Sequence, residues 1–371
     1  MIIEAGAVFR NATLEPGWIQ IRDGRIEAVG GGAAPTRPDH AFPDHILAPG
    51  FVDVHAHGGG GASFSTTSDA DIDVVLATHR RHGTTSMVAS LVTASDEDLR
   101  RQVGVLARRV HVGDLAGIHL EGPWLSRRYK GAHEQALLRP PDLVFIAELL
   151  AIANGAIKMV TLAPELDEAL DATRLFRLHG VVTAVGHTDC DYVQARAAID
   201  VGATGATHLF NAMAPLHHRQ PGPNLALLTD ERVHVEVVFD NVHVHPELAR
   251  FALDTAGPRG VLVTDAMAAT GQPDGDYMLG NLAVEVSDGV AKLTGTDTIA
   301  GSTLTLDKAV RNAVAAGLPL ESALAAATEH PATYLGLGGV GRLEPGLRAD
   351  AVLLDRDDLT VASVLQEGAW T

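Results

Sequence analysis

The chain has 371 residues, 46% of them hydrophobic, which describes a compact protein of helices and buried strands rather than a disordered one. Its formal net charge of −18 at pH 7 argues against nucleic acid or an anionic membrane as a partner, because the mean field repels both. Cys190 is the single cysteine, which excludes a disulfide within the chain and a cluster of thiolate metal ligands.

The amino-terminal segment predicts a small β unit. Residues Met1–Ala5 lack the basic region and the apolar stretch of a secretion signal, so we expect a cytoplasmic protein. Short strand-like runs follow, two of them joined by the hairpin signal Asp23-Gly24. The carboxyl-terminal residues have the same character. We therefore expect residues 1–48 and 341–371 to form one small β-sandwich domain.

A histidine pair follows the first long apolar run. The run Ile46–Val54 reads as one buried strand. Because side chains alternate along a strand, His55 and His57 project from the same face and can grip one metal ion. This composition gives about 0.9 such pairs by chance, so the pair alone is weak evidence. Its place after a buried strand and before the flexible run Gly58–Gly61 strengthens the metal interpretation.

Seven more short apolar runs alternate with helical patterns such as Asp69–His82 and Asp307–Ala316. Eight strands separated by helices are what a (β/α)8 barrel requires, and the length suits one such α/β barrel with a small accessory domain. Residues 282–293 predict an inserted hairpin instead. We therefore expect residues 49–340 to form a TIM-like barrel. The seven runs are Thr85–Ala89, Ala116–Leu120, Met159–Leu162, Val181–Val185, Gly205–Leu209, Val235–Phe239 and Gly260–Thr264.

Polar side chains collect directly after these runs. In a barrel those positions form the C-terminal rim, where such enzymes place their active sites. Imidazole and carboxylate suit Zn²⁺ and similar divalent ions, and the lack of thiolates indicates a catalytic rather than a closed structural site. Five such ligands could hold two ions. The polar residues after the runs are His55, His57, Glu121, His187, His208, Asn211, His243 and Asp265.

Seven motifs in one order carry a family resemblance, which runs from about Ala48 to the end of the chain. The motifs are Asp53-Val54-His55-Ala56-His57, His119-Leu120-Glu121-Gly122-Pro123-Trp124, Lys130-Gly131-Ala132-His133, Gly186-His187-Thr188, Thr207-His208-Leu209-Phe210-Asn211-Ala212-Met213, Thr264-Asp265-Ala266 and Gly301-Ser302-Thr303-Leu304-Thr305. Together they resemble the N-acetylglucosamine-6-phosphate deacetylases of the amidohydrolase superfamily.

The resemblance implies a metal centre around Glu121, which would be the carboxylate ligand between two metal positions. His187 and His208 would complete one site, and His55 with His57 the other. Members that lack the His-x-His pair usually hold one metal, so two ions fit this chain. Related cyclic amidohydrolases commonly use a carboxylated lysine as the bridge, and the glutamate here favours the deacetylase branch. We expect one or two divalent ions per subunit, Zn in the first place, with Fe, Mn or Co as alternatives.

Asp265 matches the catalytic carboxylate of the family. Hydrolysis of an amide needs a base that takes a proton from the attacking water and then an acid that protonates the departing amine. One carboxylate can do both. Outside its motif, an aspartate at this place would be interpreted as a helix N-cap, since aspartate is favoured there.

The resemblance also implies substrate contacts. His133, which follows Ala132, would polarise the acetyl carbonyl. In the basic segment Pro215–Gly222, Arg219 offers a planar fork suited to phosphate oxygens. Part of the phosphate contact in this family comes across a dimer interface, so we expect a homodimer. The other substrate-binding residues would be Asn211, Ala212, His243, Ile299, Ala300 and Gly301.

The expected reaction is hydrolysis of the N-acetyl group of N-acetyl-D-glucosamine 6-phosphate to D-glucosamine 6-phosphate and acetate, in amino-sugar catabolism or cell-wall recycling. A deacetylase of the N-acetylgalactosamine 6-phosphate epimer and another amidohydrolase stay as alternatives, because pocket shape decides the epimer. A non-catalytic scaffold would be expected to lose ligands, and none is missing. His119 is interpreted as structural, and Cys190 as a packed residue.

Overall fold

The structure is a computed structural model that describes residues 1–371. Its strands are β1 (Ile2–Arg10), β2 (Thr13–Arg22), β3 (Arg25–Gly31), β4 (His40–Pro49), β5 (Phe51–Ala56), β6 (Gly58–Gly59), β7 (Ala62–Ser63), β8 (Thr84–Leu91), β9 (Gly117–Glu121), β10 (Ile157–Leu162), β11 (Val182–Val185), β12 (Ala203–Ala206), β13 (His234–Val238), β14 (Gly260–Val263), β15 (Gly275–Leu279), β16 (Leu282–Ser287), β17 (Val290–Leu293), β18 (Ala351–Asp355), β19 (Val361–Gln366) and β20 (Ala369–Trp370). Its α-helices are α1 (Asp69–Arg80), α2 (Asp96–His111), α3 (Leu143–Ala153), α4 (Ala169–Leu178), α5 (Tyr192–Val201), α6 (Gly222–Thr229), α7 (Pro246–Ala256), α8 (Leu306–Ala315), α9 (Leu320–Ala327) and α10 (Glu329–Tyr334).

Eight parallel strands form a nearly closed barrel in the order β5, β8, β9, β10, β11, β12, β13, β14. The first and last strands approach each other at a bridge between Ala56 and Ala266. Barrel strands are covered by helices outside and by side chains inside, which is why each appears in the sequence as a continuous apolar run. All eight predicted runs contribute a barrel strand, so the predicted fold class is confirmed.

The helices between the strands begin and end where their sequence directs. Helix α2 starts after Ser95, whose hydroxyl accepts a hydrogen bond from the Asp98 amide. Acidic residues occupy its first turn and basic residues its last, which suits the helix dipole. Its apolar face buries Leu99, Val103 and Leu106 against the barrel. This amphipathic pattern lets α2 pack on the barrel beside β8 and β9, the two strands that it connects.

The run Ile46–Val54 is not one strand, which corrects the sequence prediction. Strand β4 ends at Pro49 and belongs to a different sheet from β5. Gly50 separates the two, and a Cβ atom there would lie 2.1 Å from Oγ1 of Thr85. Only glycine therefore fits where the chain passes from one sheet into the other. His55 still lies on β5, and His57 comes one residue after its end.

Both chain ends enter one seven-stranded sheet, in the order β20, β19, β18, β4, β1, β2, β3. Neighbouring side chains on a strand face opposite ways. Leu47 and Leu353 belong to a separate hydrophobic core on one face of this sheet. Ile46 and Leu354 belong to the core of the barrel. The sheet is thus fixed to the barrel through one face. Its separation into a domain at residues 48/49 and 340/341 stays a prediction.

Strands β15, β16 and β17 form the predicted inserted hairpin with one additional strand, β15. Val284 and Ala291 of this insertion pack on Met267 and Ala268, which follow β14. The insertion therefore covers part of the C-terminal rim. No helix of the structure has the length and apolar character needed to cross a membrane.

Candidate metal centre and active site

The barrel brings all six predicted metal-binding and catalytic side chains to its C-terminal rim. His55 lies on β5, and Glu121 is the last residue of β9. The others follow the ends of four barrel strands by one or two residues. Every one of the six is buried: His55, His57, Glu121, His187, His208 and Asp265. Parallel strands end at one edge, and that geometry explains the convergence.

Three of these residues hold a left-handed backbone. The φ angles are +48° at His187, +28° at His208 and +50° at Asp265. A residue with a Cβ atom takes this conformation at a cost, and it persists where the surrounding structure fixes it. At Asp265 the fixation is visible, because its amide donates to the His55 carbonyl and its carbonyl accepts from the Ser302 amide.

One donor set surrounds a single oxygen of Glu121. Oε1 of Glu121 lies 3.2 Å from Nε2 of His187 and 3.0 Å from Nε2 of His208. The two Nε2 atoms are 3.1 Å apart. His133 approaches from the other side, with Nε2 3.5 Å from Oε2 of Glu121. Three ligand atoms therefore meet around one point.

A second donor set lies beside the first and shares Glu121. Nε2 of His57 is 3.1 Å from Oε2 of Glu121 and 3.3 Å from Nε2 of His55. Oδ1 of Asp265 completes the set at 3.2 Å from His57 and 3.5 Å from His55. A carboxylate between two imidazole pairs is the arrangement that the sequence analysis predicts.

The donor geometry fits divalent metal ions. Nδ1 of His55 bonds Oε2 of Glu236, Nδ1 of His57 bonds the Ser90 carbonyl, and Nδ1 of His187 bonds the Tyr129 carbonyl. These acceptors fix Nδ1 as the donor and turn Nε2 toward Glu121, as second-shell groups do around metals. Tetrahedral ligands at zinc–nitrogen lengths stand about 3.3 Å apart, close to the separations of the Nε2 atoms. The donor geometry therefore supports a site for a divalent metal ion.

Charge within the cluster is strongly coupled. Burial lowers the pKa of His57, but hydrogen bonds to Asp265 and Glu121 outweigh it and raise that pKa to about 9. Burial raises the pKa of Asp265, yet the nearby His55 and His57 rings hold it below its usual range. The attraction that keeps protons on the rings also favours a divalent cation in their place, because metal binding releases such protons.

A cavity of about 370 Å³ opens onto the cluster. Seven of the nine predicted substrate-binding residues line it: Ala132, His133, Asn211, Ala212, His243, Ile299 and Gly301. Ala300 is fully buried behind the wall, in the core of the insertion. Arg219 lies on an exposed segment outside the cavity, with its guanidinium 2.7 Å from Nε2 of His218.

Two cavity histidines have fixed ring orientations. The Thr93 amide donates to Nδ1 of His133, so a neutral His133 carries its proton on Nε2, which faces the cavity. Nδ1 of His243 lies 2.6 Å from Oδ2 of Asp240, and its Nε2 faces Oδ2 of Asp265 at 3.9 Å. Burial lowers the pKa of His243, but the Asp240 carboxylate outweighs it and raises that pKa.

Sequence reasoning missed four residues of the site. Arg128 is the one arginine or lysine that lines the cavity. Asp53 and Glu236 are fully buried carboxylates within the barrel, and Asp240 orients His243. A charged residue inside an apolar strand run is the signal that could have found Glu236, since isolated buried charges are costly. Arg128 gave no such signal.

Two residues that the sequence analysis interprets as structural, His119 and Cys190, are both buried. His119 bonds Oγ of Ser90 at 2.9 Å and Oγ1 of Thr161 at 2.8 Å, which satisfies both ring nitrogens. Burial holds its pKa well below the usual range. Cys190 is buried and forms no disulfide. His119 is buried on β9, and Cys190 packs in the main hydrophobic core.

A parallel barrel whose C-terminal rim joins four histidines to two carboxylates beside a cavity defines a metal-dependent hydrolase. Sequence comparison gives the particular lineage. The chain belongs to the amidohydrolase family, whose sequence pattern matches residues 46–370.

Several relatives align over most of the chain. It is 41% identical over 340 residues to N-acetylglucosamine-6-phosphate deacetylase of Bos taurus, covering 87% of this chain and 82% of the relative. It is 36% identical over 357 residues to N-acetylgalactosamine-6-phosphate deacetylase of Escherichia coli O157:H7, covering 93% and 94%. A Mycobacterium smegmatis N-acetyl-D-glucosamine-6-phosphate deacetylase variant, solved with N-acetyl-D-glucosamine-6-phosphate, matches with a TM-score of 0.98 and 50% identity over 100% of this chain and 98% of that one.

Proposed function

We propose that the chain hydrolyses the acetamido group of N-acetyl-D-glucosamine 6-phosphate, giving D-glucosamine 6-phosphate and acetate. The observation that carries the proposal is the ionised Asp265 carboxylate beside a shared His–Glu donor cluster at the floor of one cavity. The relatives' activities support the choice of substrate. We place the reaction in amino-sugar catabolism or cell-wall recycling.

Glu121, His187 and His208 would hold one ion, and His55 and His57 with Glu121 the other. Zn²⁺ is the proposed metal, because imidazole and carboxylate suit it, with Fe, Mn or Co as alternatives. When bound, such ions lower the pKa of water and polarise a carbonyl oxygen.

Asp265 supplies the proton transfers. As the ionised base it takes a proton from the attacking water, whose oxygen forms a bond to the acetyl carbon. The protonated carboxyl then gives that proton to the amide nitrogen while the carbon–nitrogen bond breaks, because an unprotonated amine leaves poorly. Acetate and a free amine result. The carboxylate of Asp265 lies within the cluster, with Oδ1 3.2 Å from Nε2 of His57.

His133 is the proposed donor to the acetyl carbonyl. Its Nδ1 accepts from the Thr93 amide at 3.3 Å, which leaves the Nε2 proton for a ligand in the cavity. A donor aimed at the developing negative charge stabilises the transition state more than the ground state. The 4% exposure of His133 makes that interaction stronger than it is in water.

Arg128 is the proposed phosphate ligand within one subunit. It lies at the cavity beside Tyr129, with its guanidinium 3.0 Å from Oδ2 of Asp189. A planar guanidinium can bind phosphate in bidentate fashion. Arg219, proposed from the sequence, would reach a substrate only from a second subunit, so its role depends on the proposed homodimer.

The direct test is acetate release from N-acetylglucosamine 6-phosphate and from the unphosphorylated sugar, with Zn²⁺ supplied. We expect release from the phosphorylated sugar and much slower release from the other. Absence of acetate from the phosphorylated sugar at saturating Zn²⁺ would refute the proposal.

The second candidate is deacetylation of the N-acetylgalactosamine epimer. It is favoured by the relative from Escherichia coli that aligns over 93% of this chain. The two sugars differ at one hydroxyl, and a site that hydrogen-bonds a hydroxyl rejects the wrong isomer strongly. A higher kcat/KM on the galactosamine epimer in the same assay would transfer the assignment to it.

A further inference from the structure

Glu236 lies inside the barrel below the donor cluster and has no role in the reaction as described. Glu236 is fully buried on β13. Its single ion-pair partner is His55, with Oε2 3.0 Å from Nδ1. The other oxygen, Oε1, accepts from the hydroxyl of Tyr334 at 3.4 Å. A buried carboxylate with no arginine or lysine beside it needs another source of positive charge.

The fold is adapted to bring this pair together. Tyr334 is the last residue of α10, and its ring enters the barrel from below, where it stacks on His234 with ring centroids 4.8 Å apart. A Cβ atom at Gly205 would lie 1.9 Å from the Tyr334 hydroxyl. Glycine on β12 therefore makes room for the tyrosine. A chain of contacts runs from Gly205 through Tyr334 and Glu236 to His55.

His55 is held on both sides of its ring. Nδ1 faces the carboxylate of Glu236, and the His119 ring packs against it edge-on with centroids 4.6 Å apart. Nδ1 must then carry the hydrogen that Glu236 accepts, which leaves Nε2 to bind a metal ion. Carboxylates that orient a metal-binding imidazole in this way raise its basicity as a ligand.

The two donor sets differ in this respect. Nδ1 of His57 and Nδ1 of His187 are held by neutral backbone carbonyls, and Nδ1 of His208 has no partner. Only the His55 side of the cluster has a second carboxylate behind its ligand. A carboxylate other than Glu121 therefore bonds a ligand ring at the His55–His57 position, and none does so at the His187–His208 position.

We infer that Glu236, which also accepts from Tyr334, is a positioning residue for the metal ion at His55 and His57. The inference rests on the proposed metal dependence and deepens it. Glu236 orients His55 and balances the charge of the second ion. It touches neither the substrate nor the reacting atoms.

The test counts ions and measures their affinities by titrating metal-free protein with Co²⁺ in a calorimeter, with elemental analysis of the loaded protein. We expect two binding events in the wild type. Glu236→Gln keeps an acceptor for Nδ1 and removes the charge, so it should weaken one event by about 10–100-fold and leave the other unchanged. Tyr334→Phe, which keeps the carboxylate, should cause a smaller loss in the same event.

Two controls separate positioning from general destabilisation. Asp350→Asn removes a buried carboxylate directly before β18, where its partner is Arg348, and should leave both events unchanged. In a His55→Gln background, adding Glu236→Gln should change ion binding no further, because coupled residues are not additive.

Three results would overturn the inference: a wild type that binds one ion, wild-type affinities for both ions in Glu236→Gln, or equal weakening of both. Should Glu236→Gln not fold, Glu236→Asp keeps the charge and shortens the reach to His55; the same selective loss is expected, and wild-type affinities would again overturn it. Ion counting is independent of acetate release, so failure here leaves the proposed reaction standing. A two-ion protein without acetate release would refute the reaction alone.

Discussion

Asp265 is the residue on which the proposed chemistry depends most directly. Asp265→Asn keeps the shape of the side chain and removes the base, so kcat should fall by about 10²–10⁴-fold. The rate of acetate release measures this loss. Asp297→Asn is the matched control, because Asp297 lines the same cavity but pairs with Lys292 on the exposed insertion. Activity within tenfold of wild type in Asp265→Asn would contradict the assigned role.

Arg128 and Arg219 are alternative phosphate ligands: Arg128 would bind the phosphate within one subunit, and Arg219 from a second subunit. A charge-assisted hydrogen bond contributes about 1.5–3 kcal/mol, and the exposure of Arg128 points to the lower end, so Arg128→Ala should raise KM for the phosphorylated sugar about tenfold. The rate on the unphosphorylated sugar should stay constant. Arg219→Ala in the same assay measures the contribution of a partner subunit. An equal effect of Arg128→Ala on both sugars would show that Arg128 does not bind the phosphate.

Cys190 should be inert in the native protein. Burial raises the pKa of its thiol to about 12, although a hydrogen bond to Thr188 acts in the opposite direction. A folded pKa above the unfolded value means that the related stability is intact below about pH 9 and is lost only at higher pH. At pH 8 we expect no labelling by a thiol reagent until a denaturant is added. Rapid stoichiometric labelling of the native protein would show the burial to be wrong.

At the residue scale, the sequence sufficed for donors that stand in motifs after strands, such as His187 and Asp265. It did not suffice for Glu236, whose partner His55 is 181 positions away. That contact depends on how the barrel closes, and neither residue type nor spacing encodes it. The roles of the predicted donors stay predictions until the substitutions above are measured.

Helix α1 carries the clearest pH-dependent contact between elements. Nε2 of His79 lies 2.9 Å from the Gly58 carbonyl, and burial lowers the pKa of His79 to about 4. A depressed histidine pKa means that stability is present above about pH 6.5 and is lost as the pH falls toward 4. From His79 alone we expect a loss of about 2 kcal/mol of stability at pH 5.

His79→Gln can keep the donor to Gly58 but cannot titrate. Its thermal midpoint should therefore fall less than that of the wild type between pH 7 and pH 5. His111→Gln, at an exposed histidine, is the control and should follow the wild type. The same pH dependence in His79→Gln and wild type would assign the acid sensitivity to other groups.

At the element scale, strands buried on both faces were predictable because they give continuous apolar runs, as in Val235–Phe239. The break at Gly50 was missed because the run Ile46–Val54 was interpreted as one buried strand, although Pro49-Gly50 within it is a local turn signal. What the sequence cannot show is the close approach of Thr85, which leaves room only for glycine where the chain passes between the two sheets. Strand β15, the first of the insertion, was missed for another reason. Four of its five residues are not buried, and its sequence shows no alternation of apolar and polar residues.

The whole molecule depends on its last residues. Strand β18 lies between β4 and β19, and its side chains enter both cores. Burying one aliphatic side chain contributes about 1.5–3 kcal/mol, so losing Val352, Leu353, Leu354 and Leu365 removes about 6–12 kcal/mol, as much as the stability of a typical domain. Deleting residues 351–371 should therefore give insoluble protein, as judged by soluble yield and circular dichroism. Deleting residues 367–371 removes only β20 and should leave a folded barrel; a folded product of the longer deletion would show that the barrel is independent of the sheet.

The left-handed backbone at His187, His208 and Asp265 has an evolutionary consequence. Each position costs about 1–3 kcal/mol with its present side chain, and glycine or asparagine would relieve that strain. Selection for thermal stability alone would thus erase two proposed metal ligands and the proposed base, while leaving the barrel intact or more stable. Stability and catalysis therefore compete at the same three positions. A redesign that optimises this backbone for folding would give a stable protein without the proposed activity.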